Sequence, residues 1–208
     1  PADGPLYRYG GELTGEQNIR PAAGSETGTV GGIRHGLFVL WRWITGLGES
    51  AGQPVVLQRP QSGVTDAQGR VYVTDVSRQA VFVFDAVEGV IRLWEFADGR
   101  RRFIAPIGIA LDHEGRLLVT DAELGAVFRF SADGTAQGSF GAGLLRRPTG
   151  IAFDPLQRHV YVADTEADDI KVFDSAGRLL DTLGFTGDAA GRLNRPVYLA
   201  FAGGRLFV

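Results

Sequence analysis

The stretch HVYVADTEADDIKVFDSAGR, residues 159–178, decides the fold. Apolar side chains alternate with small or polar ones up to an aspartate, a polar turn follows, and the alternation resumes and ends at a second aspartate. Such alternation is typical of β-strands, because successive side chains of a strand point to opposite faces of its sheet. The stretch therefore predicts two antiparallel strands joined by a short turn.

This stretch belongs to a sequence repeat that occurs in three full copies and one partial copy. Its copies begin at Arg59, Ala105, Arg147 and Arg195, each followed by a proline, and the prolines are spaced by 46, 42 and 48 residues. Each full copy predicts four short strands joined by turns rich in Asp and Gly. Four antiparallel strands repeated every ~40–50 residues are typical of β-propeller blades. We expect an all-β chain with about three full blades and part of a fourth.

The repeat resembles a known family. P-x-G-I-A-x-D, followed by G-R-x-Y-V-x-D and, six residues later, by V-F-x-F-D, is similar to the NHL repeat, and the similarity covers residues 55–208. This resemblance implies a six-bladed β-propeller, of which the chain would be an incomplete portion. The chain also resembles bacterial NHL-repeat proteins made as exported lipoproteins, which implies a location in the periplasm or at the outer membrane.

The segments before the repeats give two further expectations. Residues 1–15 include LYRYGGELTG, which resembles an outer strand that would close the last blade of a ring. Residues 16–54 form an insertion with a polar, Gly-rich part and an apolar part that predicts a short helix or turn. This apolar part either covers one end of the propeller or exposes an aromatic patch to a protein partner or a membrane surface. The patch would consist of Phe38, Trp41 and Trp43.

Composition excludes several classes of site. The chain has no Cys, which excludes disulfides and thiolate chemistry. A net charge of −3 argues against a nucleic-acid partner. No sequence run approaches the ~18 apolar residues of a membrane-spanning helix.

Aspartates recur at two positions of the repeat. One set, Asp75, Asp121 and Asp164, ends the second strand of each copy. A ring of such carboxylates could bind a cation. An aspartate at the end of a strand can instead accept hydrogen bonds from backbone N–H groups of the turn that follows. Because every copy needs such a turn, we expect the structural role. The same expectation holds for the aspartates that open the first hairpins, Asp66, Asp112 and Asp154.

Arginines precede three of the repeat prolines. Proline favours an extended conformation at the preceding residue, so Arg59, Arg147 and Arg195 are expected to point in similar directions. Guanidinium groups gathered at a channel mouth would bind a carboxylate or phosphate. The alternative is that these side chains pair with nearby carboxylates of the protein.

The histidines do not predict a metal site. The chain has only His35, His113 and His159, and none lies in the turns after the strand-end aspartates. Peptide-amidating lyases, which resemble this fold, hold zinc with histidines near the axis, including ones in those turns. No cofactor is therefore expected in this chain, and calcium or zinc only in a full-length protein.

Two functions follow from these observations. The first is a non-catalytic scaffold that binds a protein, peptide or glycan in the bacterial cell envelope, with peripheral membrane attachment and self-association as further expectations. The alternative is a lyase- or lactonase-like propeller enzyme whose axial metal is supplied partly by blades that this chain lacks.

Overall fold

The computed structural model describes Gly15, residues 55–184, Gly187 and residues 192–208. The chain divides into two compact units, residues 1–56 and 57–208. In the first unit, Gly15 and Val56 form an isolated antiparallel bridge. The expected strand before Gly15, the insertion over residues 16–54 and the aromatic patch lie outside the described residues.

The second unit holds three four-stranded antiparallel sheets and a hairpin. Sheet 1 contains β1 Pro60–Thr65, β2 Val71–Asp75, β3 Ala80–Asp85 and β4 Val90–Trp94. Sheet 2 contains β5 Pro106–Leu111, β6 Leu117–Asp121, β7 Ala126–Phe130 and β8 Ala136–Phe140. Sheet 3 contains β9 Pro148–Asp154, β10 His159–Asp164, β11 Asp169–Phe173 and β12 Leu179–Leu183. The hairpin pairs β13 Ala200–Ala202 with β14 Arg205–Phe207.

Each sheet follows the order of the chain, so every strand pairs with the next one along the sequence. This arrangement confirms the all-β prediction and the four strands expected in each full copy. The start of the first strand differs in the fourth copy, where this strand begins at Ala200 and not at Pro196, the position that starts it in the other copies.

The sheets pack side by side through their first strands. β1 lies against β5, β5 against β9, and β9 against β13. Alternation along β6 explains why sheet 2 can be covered on both faces: Val119 belongs to the core shared with sheet 1, whereas Leu118 belongs to the core shared with sheet 3. Both side chains are at most 1% exposed.

Glycine allows this close packing of the first strands. A Cβ atom added to Gly108 would lie 2.2 Å from the carbonyl oxygen of Thr149 in the next sheet. A Cβ atom added to Gly150 would lie 2.5 Å from the carbonyl oxygen of Val197. Real Cβ atoms do not come that close to a backbone oxygen, so these positions accept only glycine without movement of the strands.

Threonine hydroxyl groups link the sheets at the same place. Thr74 donates to the carbonyl oxygen of Ile107 at 2.6 Å, and Thr120 donates to that of Thr149 at 2.6 Å. In sheet 3, Ala163 occupies the equivalent position and has no hydroxyl group. There Thr165 donates to the carbonyl oxygen of Pro196 at 2.6 Å. Each sheet is thus bonded to the next through a threonine.

Candidate functional site

The strand-end aspartates mark one end of the three sheets, called here the aspartate end. The Asp75 carboxylate accepts backbone N–H groups from Gln58 at 2.6 Å and Arg59 at 2.9 Å, just before β1, and from Arg78 in the turn after β2. Asp164 accepts from Arg146 and Arg147, both at 2.8 Å. Asp75, Asp121 and Asp164 are 0% exposed. They tie the residues before each first strand to the end of the second strand.

The predicted structural role of these aspartates is confirmed, and the bonds reach further than expected. The sequence predicted bonds to the turn that each aspartate opens, and Asp75 and Asp121 make them. Bonds to the residues before the first strand, 16 to 18 positions away, were not foreseen. Charge-assisted bonds of this kind stabilise strongly when they are buried.

The second set of aspartates is also structural. Asp66 accepts the backbone N–H groups of Gln68 and Arg70, and its other oxygen accepts from the Arg70 side chain at 2.7 Å. The equivalent bonds form at Asp112, and Asp154 accepts backbone N–H groups from the turn that it opens. This prediction is confirmed as well.

The three repeat arginines lie at the aspartate end but differ in conformation. Arg195 has a φ of +50°, so the expectation that proline keeps the preceding residue extended is wrong there. Its backbone N–H donates to Asp168 at 2.8 Å, and this bond helps to hold the left-handed conformation. Arg195 therefore does not repeat the geometry of Arg59 and Arg147, whose N–H groups bond to strand-end aspartates.

One of these arginines has a carboxylate partner. The Nη1 atom of Arg147 lies 2.7 Å from Oε1 of Glu123, in the turn between β6 and β7 of the preceding sheet. Its guanidinium group therefore links sheet 2 to sheet 3. Gln79 makes a comparable link between sheets 1 and 2, because its side chain donates to the carbonyl oxygen of Ile104 at 3.2 Å. An anion site formed by Arg59, Arg147 and Arg195 stays a prediction.

The histidines lie apart from the strand-end aspartates. His113, in the turn between β5 and β6, stacks on Phe153 with ring centroids 5.8 Å apart, and His159 contacts Tyr161. Within Gly15, residues 55–184, Gly187 and residues 192–208, no three His, Asp or Glu side chains come close enough together to hold a metal ion. His35 lies outside the described residues.

A crevice between sheets 1 and 2 was not predicted. Its volume is about 200 Å³, and it lies beside the β7–β8 turn of sheet 2. The side chains that matter for its chemistry are Val83, Asp85, Glu88, Arg92, Trp94 and Asp133. Its floor is Val83, which is 1% exposed. The copies AVFVFD and AVFRFS contain a signal for it, because position 83 carries valine where position 129 carries arginine.

Structural comparison establishes the architecture. One similar solved structure is virginiamycin B lyase from Staphylococcus aureus with quinupristin, at TM-score 0.58 and 19% identity, covering 71% of this chain and 47% of that one. Another is a gluconolactonase from Xanthomonas campestris, at TM-score 0.58 and 23% identity, covering 71% and 54% of the two chains. The protein has a β-propeller fold. Its sheets are successive blades, and the chain spans about half the length of those structures.

These similarities to solved structures establish the fold but do not assign a family or an activity. A streptogramin B lyase structure also matches, at TM-score 0.58 and 14% identity, with 76% of this chain and 52% of that chain covered. No protein-family model matches the sequence, and no curated protein matches it. In the described part of the propeller chain, no helix has the length and apolar character needed to cross a bilayer.

Proposed function

We propose that this chain contributes to a β-propeller that binds a protein, peptide or glycan without chemical turnover. One observation carries the proposal: the carboxylates that recur in the three described four-stranded sheets are used to hold the backbone. Asp121, for example, accepts N–H groups from both the residues before β5 and the turn after β6. An acid or base needs a side chain that is available to a substrate, and these side chains are 0% exposed.

The type of propeller, its number of blades and its location in the cell are also part of this proposal. The motifs of the four copies support the NHL type of propeller, with six blades in the full-length protein. The resemblance to exported lipoproteins supports a place in the cell envelope, where a protein or peptide partner would be met. A propeller fold by itself supports many functions, so the binding function needs its own experiment.

Capture of partners tests the binding function directly. The full-length protein would be immobilised and exposed to a cell-envelope extract, with an unrelated β-propeller of similar net charge as the control bait. We expect a protein or glycan that is retained by the first bait alone and released by added soluble protein. Failure to retain any specific component would contradict a scaffold function.

An enzyme is the second candidate, because the similar structures include a lyase and a gluconolactonase. Its metal would be held partly by blades outside this chain. Metal analysis of the full-length protein separates the two candidates. Stoichiometric calcium or zinc, together with lyase or lactonase turnover that is lost on chelation, would favour the enzyme over the scaffold.

A further inference from the structure

The interface between sheets 2 and 3 can be compared with the interface between sheets 1 and 2, where the crevice lies. Arg129, on β7, extends between the two sheets and donates to the carbonyl oxygen of Ser175 at 3.0 Å. Its guanidinium carbon lies 4.5 Å from the ring centroid of Phe140, which is a favourable cation–π distance. Burial lowers the pKa of Arg129. The blade interface thus contains a partly buried cation placed over an aromatic ring.

The first interface has valine in place of this arginine, and a different arginine, Arg70, donates to the carbonyl oxygen of Ala132 at 3.2 Å. Val83 occupies the strand position of Arg129, and Trp94 occupies that of Phe140, because Trp94 pairs with Val81 as Phe140 pairs with Val127. The glycines of the two turns support this equivalence. A Cβ atom added to Gly134 would meet the ring of Trp94, and a Cβ atom added to Gly177 would meet the ring of Phe140. The shorter side chain of Val83 leaves a crevice that is lined by Trp94 and Asp85 and lies beside the Arg70 guanidinium group.

The carboxylates around the crevice favour a cation. The Asp85 side chain is 8% exposed, and its Oδ1 atom accepts the backbone N–H groups of Val87 and Glu88. Its Oδ2 atom accepts no hydrogen bond from the described residues, since the closest guanidinium nitrogen, on Arg92, is 3.7 Å away. A guanidinium donor brought to this oxygen would form a charge-assisted hydrogen bond with it.

The balance of charge points the same way. Asp85, Glu88 and Asp133 line the crevice together with Arg92, which pairs with Glu88. Arg70 also lines it, but its charge is matched by Asp66 at 2.7 Å. Three carboxylates therefore face one cation that is not already balanced elsewhere. The volume of about 200 Å³ is below the ~300–1,000 Å³ of sites for drug-sized ligands, and suits a single side chain.

We propose that this crevice binds the guanidinium group of an arginine side chain from a peptide or protein partner. The bound group lies against Trp94, as Arg129 lies against Phe140 in the next interface, and it donates to Asp85. The claim that a partner supplies this arginine rests on the proposed binding function. The preference of the crevice for a guanidinium group can be tested without any partner.

The test uses the 208-residue chain and an arginine capped at both ends, N-acetyl-arginine amide. The indole N–H resonance of Trp94 is followed by NMR during titration, and the uncharged isostere N-acetyl-citrulline amide is the control probe. We expect a saturable shift with a roughly millimolar dissociation constant for the arginine probe. Binding of the citrulline probe should be about tenfold weaker, because the cation–π and carboxylate contacts lose their charge.

Two variants place the site. Val83→Arg supplies the crevice with its own guanidinium group, as at position 129, and should abolish the shift in a chain that remains folded. Glu88→Gln changes a side chain that is 58% exposed and should weaken binding about two- to fivefold. Glu114→Gln, a carboxylate that is 53% exposed in sheet 2, is the matched control and should leave binding unchanged.

The outcomes separate the crevice from the binding function. Equal affinity for both probes, or full binding by a folded Val83→Arg chain, would overturn the crevice proposal. If Val83→Arg does not fold, Glu88→Gln decides, and unchanged affinity in that variant would overturn it. If the arginine probe binds but the capture experiment fails, the guanidinium site in the crevice is supported and the proposed partner is rejected.

Discussion

Both carboxylate oxygens of Asp121 lie 3.1 Å from the backbone nitrogen of Ala105, although the two residues are 16 positions apart in the chain. The same carboxylate accepts from Ile104 at 2.8 Å and from Glu123 and Leu124 at 3.0 Å. One buried side chain therefore fixes the start of β5 against the turn that follows β6. The bonds from the residues before the first strand to this aspartate recur in each sheet and explain why the aspartate is repeated.

Replacement of this carboxylate tests its structural role. Asp121→Ala leaves several backbone N–H groups without acceptors in a buried site, so the free energy of unfolding should fall by about 2–4 kcal/mol. Asp121→Asn keeps one acceptor oxygen and should cost less. Urea unfolding measures both. Asp181→Ala, at an exposed position of β12, is the control and should change stability by less than about 0.5 kcal/mol. Equal effects at positions 121 and 181 would refute the structural role.

The repeated pattern predicted most of the fold because its signals are local. Alternation along a strand and the aspartates and glycines of the turns depend on neighbouring residues alone. The stretch at residues 159–178 forms β10, a turn and β11, as predicted, and ends with the turn that leads to β12. The hydrogen bonds that Asp66, Asp112 and Asp154 accept from nearby backbone N–H groups were predictable for the same reason.

Features that depend on the next sheet were not predictable. Arg195 adopts a φ of +50° with its N–H bonded to Asp168, a residue 27 positions away, and a rule about the following proline does not include this partner. The crevice is a similar case, because the change from arginine at position 129 to valine at position 83 does not by itself show that a space forms there. Its consequence appears only when Trp94 and the β7–β8 turn are placed around it.

The glycine at the contact between sheets 2 and 3 gives a second prediction. Gly108→Ala would place its Cβ atom 2.2 Å from the backbone oxygen of Thr149, so the first strands of sheets 2 and 3 must separate. We expect a loss of about 3 kcal/mol in the free energy of unfolding, at the upper end of overpacking costs. Gly99→Ala is the matched control, because nothing lies within 4 Å of the added atom. A Gly108→Ala chain as stable as the control would contradict the close approach.

The threonine links between sheets give a third prediction. Thr120→Val keeps the shape of the side chain but removes its bonds to the Thr149 carbonyl oxygen at 2.6 Å and the Gly108 N–H at 2.7 Å. Both backbone groups would then be buried without a partner, at a cost of about 1–3 kcal/mol. Chemical denaturation should show this loss, and Thr182→Val, on the exposed strand β12, should not. Similar stability of the two variants would mean that packing alone joins the sheets.

A fourth prediction concerns high pH. Tyr72 is 0% exposed, and its hydroxyl group donates to Asp66 at 2.9 Å. Burial, and then the hydrogen bond to Asp66, raise the pKa of Tyr72 to about 12. In the unfolded chain a tyrosine loses its proton near pH ~10. Between these values the folded state keeps a proton that the unfolded state has released, so this contribution to stability is complete below pH ~10 and declines as the pH rises toward about 12.

Tyr72→Phe isolates this effect. The variant lacks the titrating hydroxyl group, so its stability should fall less than that of the parent chain between pH ~10 and ~12. The difference in free energy of unfolding between the two proteins should shrink by up to about 2 kcal/mol across that window. Tyr161, whose pKa is also raised by burial, is present in both proteins and cancels. Urea unfolding at several pH values measures the difference, and a constant value would show that the Tyr72 hydroxyl group titrates as it does in the unfolded chain.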